Sequence, residues 1–149
     1  MKISFCGHGD IYSQLETIEQ NLTHIINDLK ETDITFYLGE YGSFDFLCRK
    51  CCIALKHKFK RCKIIFVTPY FDNKYLKSKP LNLFDDIIFP PLEHVPKKFA
   101  ILARNKWIVD NSDLIIAYVN RSFGGAAKTL EYAVKKKKQI INLTQKPSN

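Results

Sequence analysis

The chain has 149 residues, 46% of them hydrophobic and 26% charged, with six Gly and six Pro, values that suit one folded domain with its own core. They exclude collagen-like, low-complexity and wholly disordered chains, and no apolar stretch approaches the roughly 20 residues of a membrane span. The net charge of +8 is unevenly spread: residues 1–45 hold two Lys and eight acids, while residues 46–149 hold 21 Lys/Arg and seven acids.

The first element expected is a short strand over residues 2–6, ending at Gly7-His8-Gly9-Asp10. Its apolar run is too short for a signal peptide, so a cytoplasmic location is expected. From Ser13 onward, Leu15, Ile18, Leu22, Ile25, Ile26 and Leu29 recur at helical spacing. A second strand over residues 34–38 enters the loop Gly39-Glu40-Tyr41-Gly42-Ser43. Phe44, Leu47, Cys51, Ala54 and Leu55 then mark the apolar face of a second helix. The continuous apolar run KIIFVT, residues 63–68, suits a strand buried on both faces of a parallel sheet. Residues 70–96 are the least regular and read as a mobile loop with a short extra strand at Ile87-Ile88-Phe89. A third helix is expected over about 97–111, then a strand over 114–119. A fourth helix opens after Ser122-Phe123-Gly124-Gly125, and a last strand covers 139–143, leaving about six terminal residues as a frayed tail.

Five strands alternating with four helices predict an α/β fold: a Rossmann-like three-layer sandwich, mostly parallel, with one short extra strand possible in the sheet. The whole chain, residues 1–149, reads as a single domain. All six glycines fall where a predicted strand turns into a helix, at Gly7 and Gly9, Gly39 and Gly42, and Gly124 and Gly125. At that edge of an open α/β sheet, glycine lets the backbone approach a phosphate, and the next helix offers free N–H groups. Both G-x-G-x-x-G and the P-loop signature are absent, which disfavours a conventional NAD or FAD dehydrogenase and gives ATP hydrolysis no support.

Four blocks then carry a resemblance: Phe5-Cys6-Gly7-His8; Leu38-Gly39-Glu40-Tyr41-Gly42-Ser43-Phe44-Asp45; Ala103-Arg104-Asn105 running on to Asp110 and Asp113; and Gly124-Gly125-Ala126-Ala127-Lys128-Thr129-Leu130-Glu131 with Ile140-Ile141-Asn142. In this order, over nearly the whole chain, they resemble the YpsA-like branch of the SLOG superfamily. That superfamily includes the LOG phosphoribohydrolases, the DNA-processing protein DprA and ligand sensors of bacterial stress and defence. The resemblance implies a Rossmann-like fold that binds nucleotides or nucleotide-derived ligands. LOG enzymes carry P-G-G-x-G-T-x-x-E. Here Thr129 comes one step later and Glu131 only two beyond it instead of three, a change that rotates the carboxylate by about 100° on a helix.

The expected site is a pocket lined by three loops and one helix. Gly7, His8 and Gly9 come from the first loop, Gly39, Gly42, Ser43 and Asp45 from the second, Arg104 and Asn105 from the third helix, and Gly124, Gly125 and Thr129 from the last loop. His8 would face the crevice and bond a phosphate or ribose oxygen. Arg104 offers a bidentate fork for phosphate, and Asn105 an amide for base or ribose. The leading expectation is a sensor or sequestering protein for a phosphorylated nucleotide derivative. An enzymatic alternative is an N-glycosidic hydrolase or transferase, with Asp45 and Glu131 as its catalytic carboxylates. A third is a single-stranded nucleic-acid-binding module that uses the basic faces, although few aromatics interleave with the basic residues of 46–63. Self-association through helices is a further expectation. No cofactor is called for, and no metal either: Cys48, Cys51 and Cys52 lie inside a predicted helix without a second Cys/His pair. An odd number of cysteines, five, favours reduced thiols.

Overall fold

A computed structural model describes residues 1–144 of the protein. The tail expected to fray lies, but for Thr144, outside them.

The elements run β1 (Lys2–Gly7), α1 (Leu15–Asn27), β2 (Asp33–Leu38), α2 (Ser43–Leu55), β3 (Arg61–Val67), α3 (Asn73–Lys77), β4 (Asp86–Ile88), α4 (Ala100–Asp110), β5 (Leu114–Tyr118), α5 (Gly125–Lys135) and β6 (Gln139–Asn142). All strand pairs are parallel, in the order β4-β3-β2-β1-β5-β6. The sheet therefore has six strands rather than five. The sixth is the short piece anticipated near Ile87, which pairs Ile65–Val67 of β3 with Asp86–Ile88. Its approach is fixed by Asp85, whose Oδ2 accepts the Ile64 N–H at 2.8 Å.

Each strand sends alternate side chains to opposite faces, and the sequence supplies both faces. In β5, Leu114 and Ile116 join Ile3, Phe36, Leu38 and Ile64 beneath α1 and α2, while Ile115 and Ala117 turn with Cys6 toward α4 and α5. Ile18, Leu22 and Ile26 form the buried stripe of α1, and Phe44, Leu47, Cys48, Cys51 and Cys52 that of α2. Leu22 is wholly enclosed, so truncating it to Ala costs about 2–5 kcal/mol.

Residues 70–96 are more regular than a loop. Asp72 caps α3 by accepting the Lys74 N–H, and Tyr70 and Tyr75 meet edge-to-face with centroids 5.0 Å apart. Lys79 Nζ donates to the Glu40 carbonyl at 3.2 Å, which ties this segment to the end of β2. A five-residue helix is too short to show a 3.6-residue period in sequence.

The chain steps outward from β1 to β4 and then returns to place β5 on the other side of β1. That reversal opens a crevice at the carboxyl ends of β1 and β5, the place where open α/β sheets take ligands. Among the described residues no helix is long and apolar enough to cross a membrane.

Candidate functional site

A cavity of about 440 Å³ occupies that crevice and runs down between the β1/β5 face of the sheet and helices α4 and α5. Its wall holds Gly7, His8 and Gly9 from the first loop, Tyr41, Gly42 and Asp45 from the second, Arg104 and Asn105 from α4, and Gly125 and Thr129 from α5. Apolar surface comes from Ile101, Ile108, Val109 and Ile115. The volume lies within the usual range of small-molecule pockets, about 300–1,000 Å³.

The first two loops hold each other. Ser43 N–H donates to the Gly9 carbonyl at 3.1 Å, and Ser43 Oγ accepts the Ile11 N–H at 2.8 Å while donating to the His8 carbonyl at 3.4 Å. Ser43, expected at the ligand, is thus a clasp between loops and not part of the cavity wall. The clasp needs two bare backbones. Gly42 sits at φ +94°, and a Cβ there would collide with the Cα of Gly9. A Cβ on Gly7 would likewise strike the ring of Phe44, so this glycine lets α2 pack against the end of β1.

Helices α2 and α5 both begin at the crevice behind a glycine, Gly42 and Gly124, and neither start has a side-chain cap. Their first N–H groups carry the positive end of the helix dipole. Gly124 holds φ +93° and lies outside the cavity wall. Gly125 forms part of the wall, with open space where its Cβ would be.

Among the described residues Arg104 is the most buried charge, 1% exposed. Its Nη1 donates to the carbonyls of Gly39 at 2.9 Å and Val67 at 2.7 Å, gathering the ends of β2 and β3, and its Nε donates to Asn105 Oδ1 at 2.9 Å. Asn105 Nδ2 donates in turn to Thr129 Oγ1 at 3.3 Å, and that hydroxyl donates to the Gly125 carbonyl at 2.9 Å. One polar chain therefore runs from the start of α5 through α4 to β2 and β3. Arg104 Nη2 has no acceptor among the described residues. Burial works against the guanidinium charge, and Asp45 counteracts it.

Asp45, in the first turn of α2, is half-buried in the wall and accepts the Tyr41 N–H on Oδ2 at 2.9 Å. Removal from water pushes its carboxyl up to about 6, against the pull of the Tyr41 N–H and Arg104. Of the two expected catalytic carboxylates, only Asp45 reaches the cavity. Glu131 is exposed and pairs with Lys135 at 3.7 Å, as its turn away from Thr129 along the helix requires.

His8 belongs to the wall but is enclosed, 4% exposed, rather than open to the crevice. Its Nε2 accepts the Asn120 N–H at 3.1 Å, and its ring stands edge-on to Tyr118. Burial and Arg121 lower its pKa, which suits a neutral imidazole acting as acceptor. Gly39 likewise stands behind the wall and presents its carbonyl to Arg104.

Two further wall residues are Asp10, which closes the first expected loop, and Arg121, which was not singled out. They form a two-pronged ion pair at the mouth, at 2.8 and 3.1 Å. Only the pairing of loops from distant parts of the chain reveals it. Cys6 also lines the cavity; its thiol donates to the Ala126 carbonyl and is pushed up to about 12, chiefly by burial, which makes it a poor nucleophile. Cys48, Cys51 and Cys52 are buried free thiols inside α2.

The same edge gathers exposed rings that are scattered in sequence. Tyr12, Tyr41, Phe71, Phe99 and Phe123 come from five separate connections that follow strand ends. Arg121 lies over Phe123 at 5.0 Å, and Lys98 over Phe99 at 5.1 Å.

No protein-family model matches the sequence, and no curated protein matches it. Solved structures do. DNA processing protein A (DprA) from Streptococcus pneumoniae superposes with a TM-score of 0.67 at 15% identity, covering 99% of this chain and 52% of that one. The Helicobacter pylori DprA, described for its single-stranded DNA binding mode, gives 0.67 at 16% identity, covering 100% of this chain and 67% of its own. The structural-genomics protein TM1055 gives 0.61 at 11% identity, with coverage of 93% and 71%. The chain spans about half the length of the S. pneumoniae protein. These likenesses give the chain the Rossmann-like fold of DprA, the fold implied by the SLOG resemblance.

Proposed function

We propose that the protein binds a phosphorylated, nucleotide-derived ligand in the crevice between β1 and β5 and works as a sensor or sequestering protein of the SLOG superfamily, on its YpsA-like branch. The observation that carries this reading is the buried Arg104, fixed by three donated hydrogen bonds while its Nη2 stands without an acceptor in the wall of a cavity beside two glycine-opened helix starts. A buried guanidinium with a spare donor is matched by an anionic or strongly accepting ligand group. A cytoplasmic setting accords with five free thiols.

Binding without turnover is favoured because glycosidic cleavage ordinarily uses two carboxylates across the bond, and only Asp45 of the expected pair lies in the wall. The test is calorimetry with ribonucleotides, dinucleotides and ADP-ribose-like compounds, with product analysis of each mixture. The reading expects binding with the ligand recovered intact. It also expects at least tenfold weaker binding by Gly125→Leu, whose side chain enters open space without a backbone clash. Unchanged affinity in that variant, or no ligand in the panel, sinks it; released base transfers the function to Asp45.

The exposed rings favour a second reading, in which single-stranded nucleic acid lies across this edge. Bases stack on exposed aromatics, and Arg121 and Lys98 lie over two of the rings. The H. pylori structure gives this reading a fold-level precedent. It expects oligonucleotide binding that falls steeply with salt and weakens on Phe123→Ala and Phe99→Ala.

A further inference from the structure

Asp45 and Arg104 both line the cavity and both border Gly39, yet no ion pair or hydrogen bond joins them. A methyl group placed on Gly39 would lie 3.2 Å from Arg104 Nη2 and 3.3 Å from Asp45 Oδ2. Both charged groups therefore border the space that a Gly39 side chain would fill, a slot that the bare backbone leaves open. On one side stands a donor without an acceptor. On the other is a carboxylate whose only hydrogen bond among the described residues is the Tyr41 N–H on Oδ2, leaving Oδ1 and a second lone pair on Oδ2.

A phosphate would satisfy the arginine and be repelled by the carboxylate. An ammonium group would do the reverse. The group that satisfies both is one that donates and accepts through the same atom, a hydroxyl. A sugar hydroxyl is the natural candidate, because the same wall holds Gly125 at the uncapped start of α5, a first turn without an acidic residue that suits the ligand's phosphate. We propose that Asp45 and Arg104, spaced by Gly39, read a hydroxyl of the ligand's pentose and make the site selective for a ribose phosphate over its deoxy forms. This rests on the nucleotide-binding reading above and specifies the ligand class for the same cavity.

Such a slot discriminates by what it leaves unpaired. A deoxy ligand strands a guanidinium donor and a carboxylate with no compensating partner, which is how sites built around a hydroxyl reject analogues that lack it. Nothing in the slot recognises a base, so the selectivity should already be present in the sugar phosphate alone. The carboxyl's raised titration point fits this role, since burial is its main cause and a ligand hydroxyl donating to the carboxylate supplies a partner there.

The experiment measures affinity by calorimetry for ribose 5-phosphate, 2-deoxyribose 5-phosphate, and the 5′-monophosphates of adenosine, 2′-deoxyadenosine and 3′-deoxyadenosine. Wild type should bind the ribose compounds tenfold or more tightly than at least one deoxy form. Gly39→Ala fills the slot while keeping both charges, and Asp45→Asn keeps the shape while losing the charge. Both should cut the discrimination below threefold, with far-ultraviolet dichroism confirming that each is folded. Equal affinity of wild type for the ribose and both deoxy forms overturns the inference, even if all of them bind. Full discrimination retained in both variants overturns it as well. Failure of wild type to bind any of the five, or any ribonucleotide of the wider panel, overturns the nucleotide reading itself and the inference with it.

Discussion

Arg121 and Asp10, 111 positions apart, close a two-pronged ion pair across the mouth of the crevice, with Nη2 to Oδ1 at 2.8 Å and Nη1 to Oδ2 at 3.1 Å. A cation of the cavity wall is thereby occupied by the protein's own carboxylate, and Asp10 titrates below the usual carboxylate range because Arg121 donates to it. Releasing the arginine should make the mouth more attractive to anions. Asp10→Asn is expected to tighten binding of ribose 5-phosphate about three- to tenfold at low salt, an advantage that shrinks as salt rises. The pair is solvated, so the melting temperature should barely change. Titrations at two salt concentrations, beside a melting curve, check both statements.

Arg104 makes the opposite prediction, a large cost in stability. Its Nη1 satisfies the Gly39 and Val67 carbonyls inside the protein, and its long side chain is enclosed. Arg104→Met fills similar space but orphans both carbonyls, and should cost about 2–4 kcal/mol by denaturant unfolding. Arg104→Lys should recover only part of this, because one ammonium cannot reproduce the planar fork that reaches Gly39, Val67 and Asn105 at once.

The pattern of the chain made most of this fold legible. The period-3.6 stripe Ile18, Leu22, Ile26 and the apolar run of β3 are strong local signals, and both elements fall within two residues of their expected bounds. The three-residue β4 was anticipated near Ile87, whereas the signal failed at α3, whose five residues are set by Asp72, in a segment tied down by Lys79, rather than by periodicity. In the site, glycine placement pointed to the crevice, whose wall holds Gly7, Gly9, Gly42 and Gly125, although Gly7 and Gly42 also serve close packing of α2 and the first loop. The orientation of side chains was not legible. His8 turns into the wall, Ser43 binds loop to loop, and Glu131 faces solvent, each decided by contacts between segments far apart in sequence.

Gly42 is the most demanding of the six glycines. Its backbone lies at φ +94°, and a Cβ would enter the Cα of Gly9, which cannot retreat while Ser43 N–H holds the Gly9 carbonyl. Gly42→Ala should therefore lower stability by about 1–3 kcal/mol and displace the first loop. Gly124→Ala, at a similar φ but facing open space, should cost less. Urea unfolding of the two variants side by side separates backbone strain from collision.

Asp45 ties ligand recognition to a stability cost that depends on pH. Its carboxyl titrates at about 6 in the folded protein against 3.8 as the unperturbed value, so the folded state binds the proton more tightly than the unfolded chain does. Stability from this group is therefore fully present below about pH 4 and lost as pH rises through 6. Asn carries no such cost and keeps an oxygen for the Tyr41 N–H. Asp45→Asn should thus stabilise the protein by on the order of 1–2 kcal/mol at pH 7.5, with the gain fading toward zero at pH 4. A gain independent of pH would show that the carboxylate is not held away from water. The expected profile, joined to a loss of ribose selectivity in the same variant, would identify Asp45 as a residue kept for the ligand at the expense of the fold.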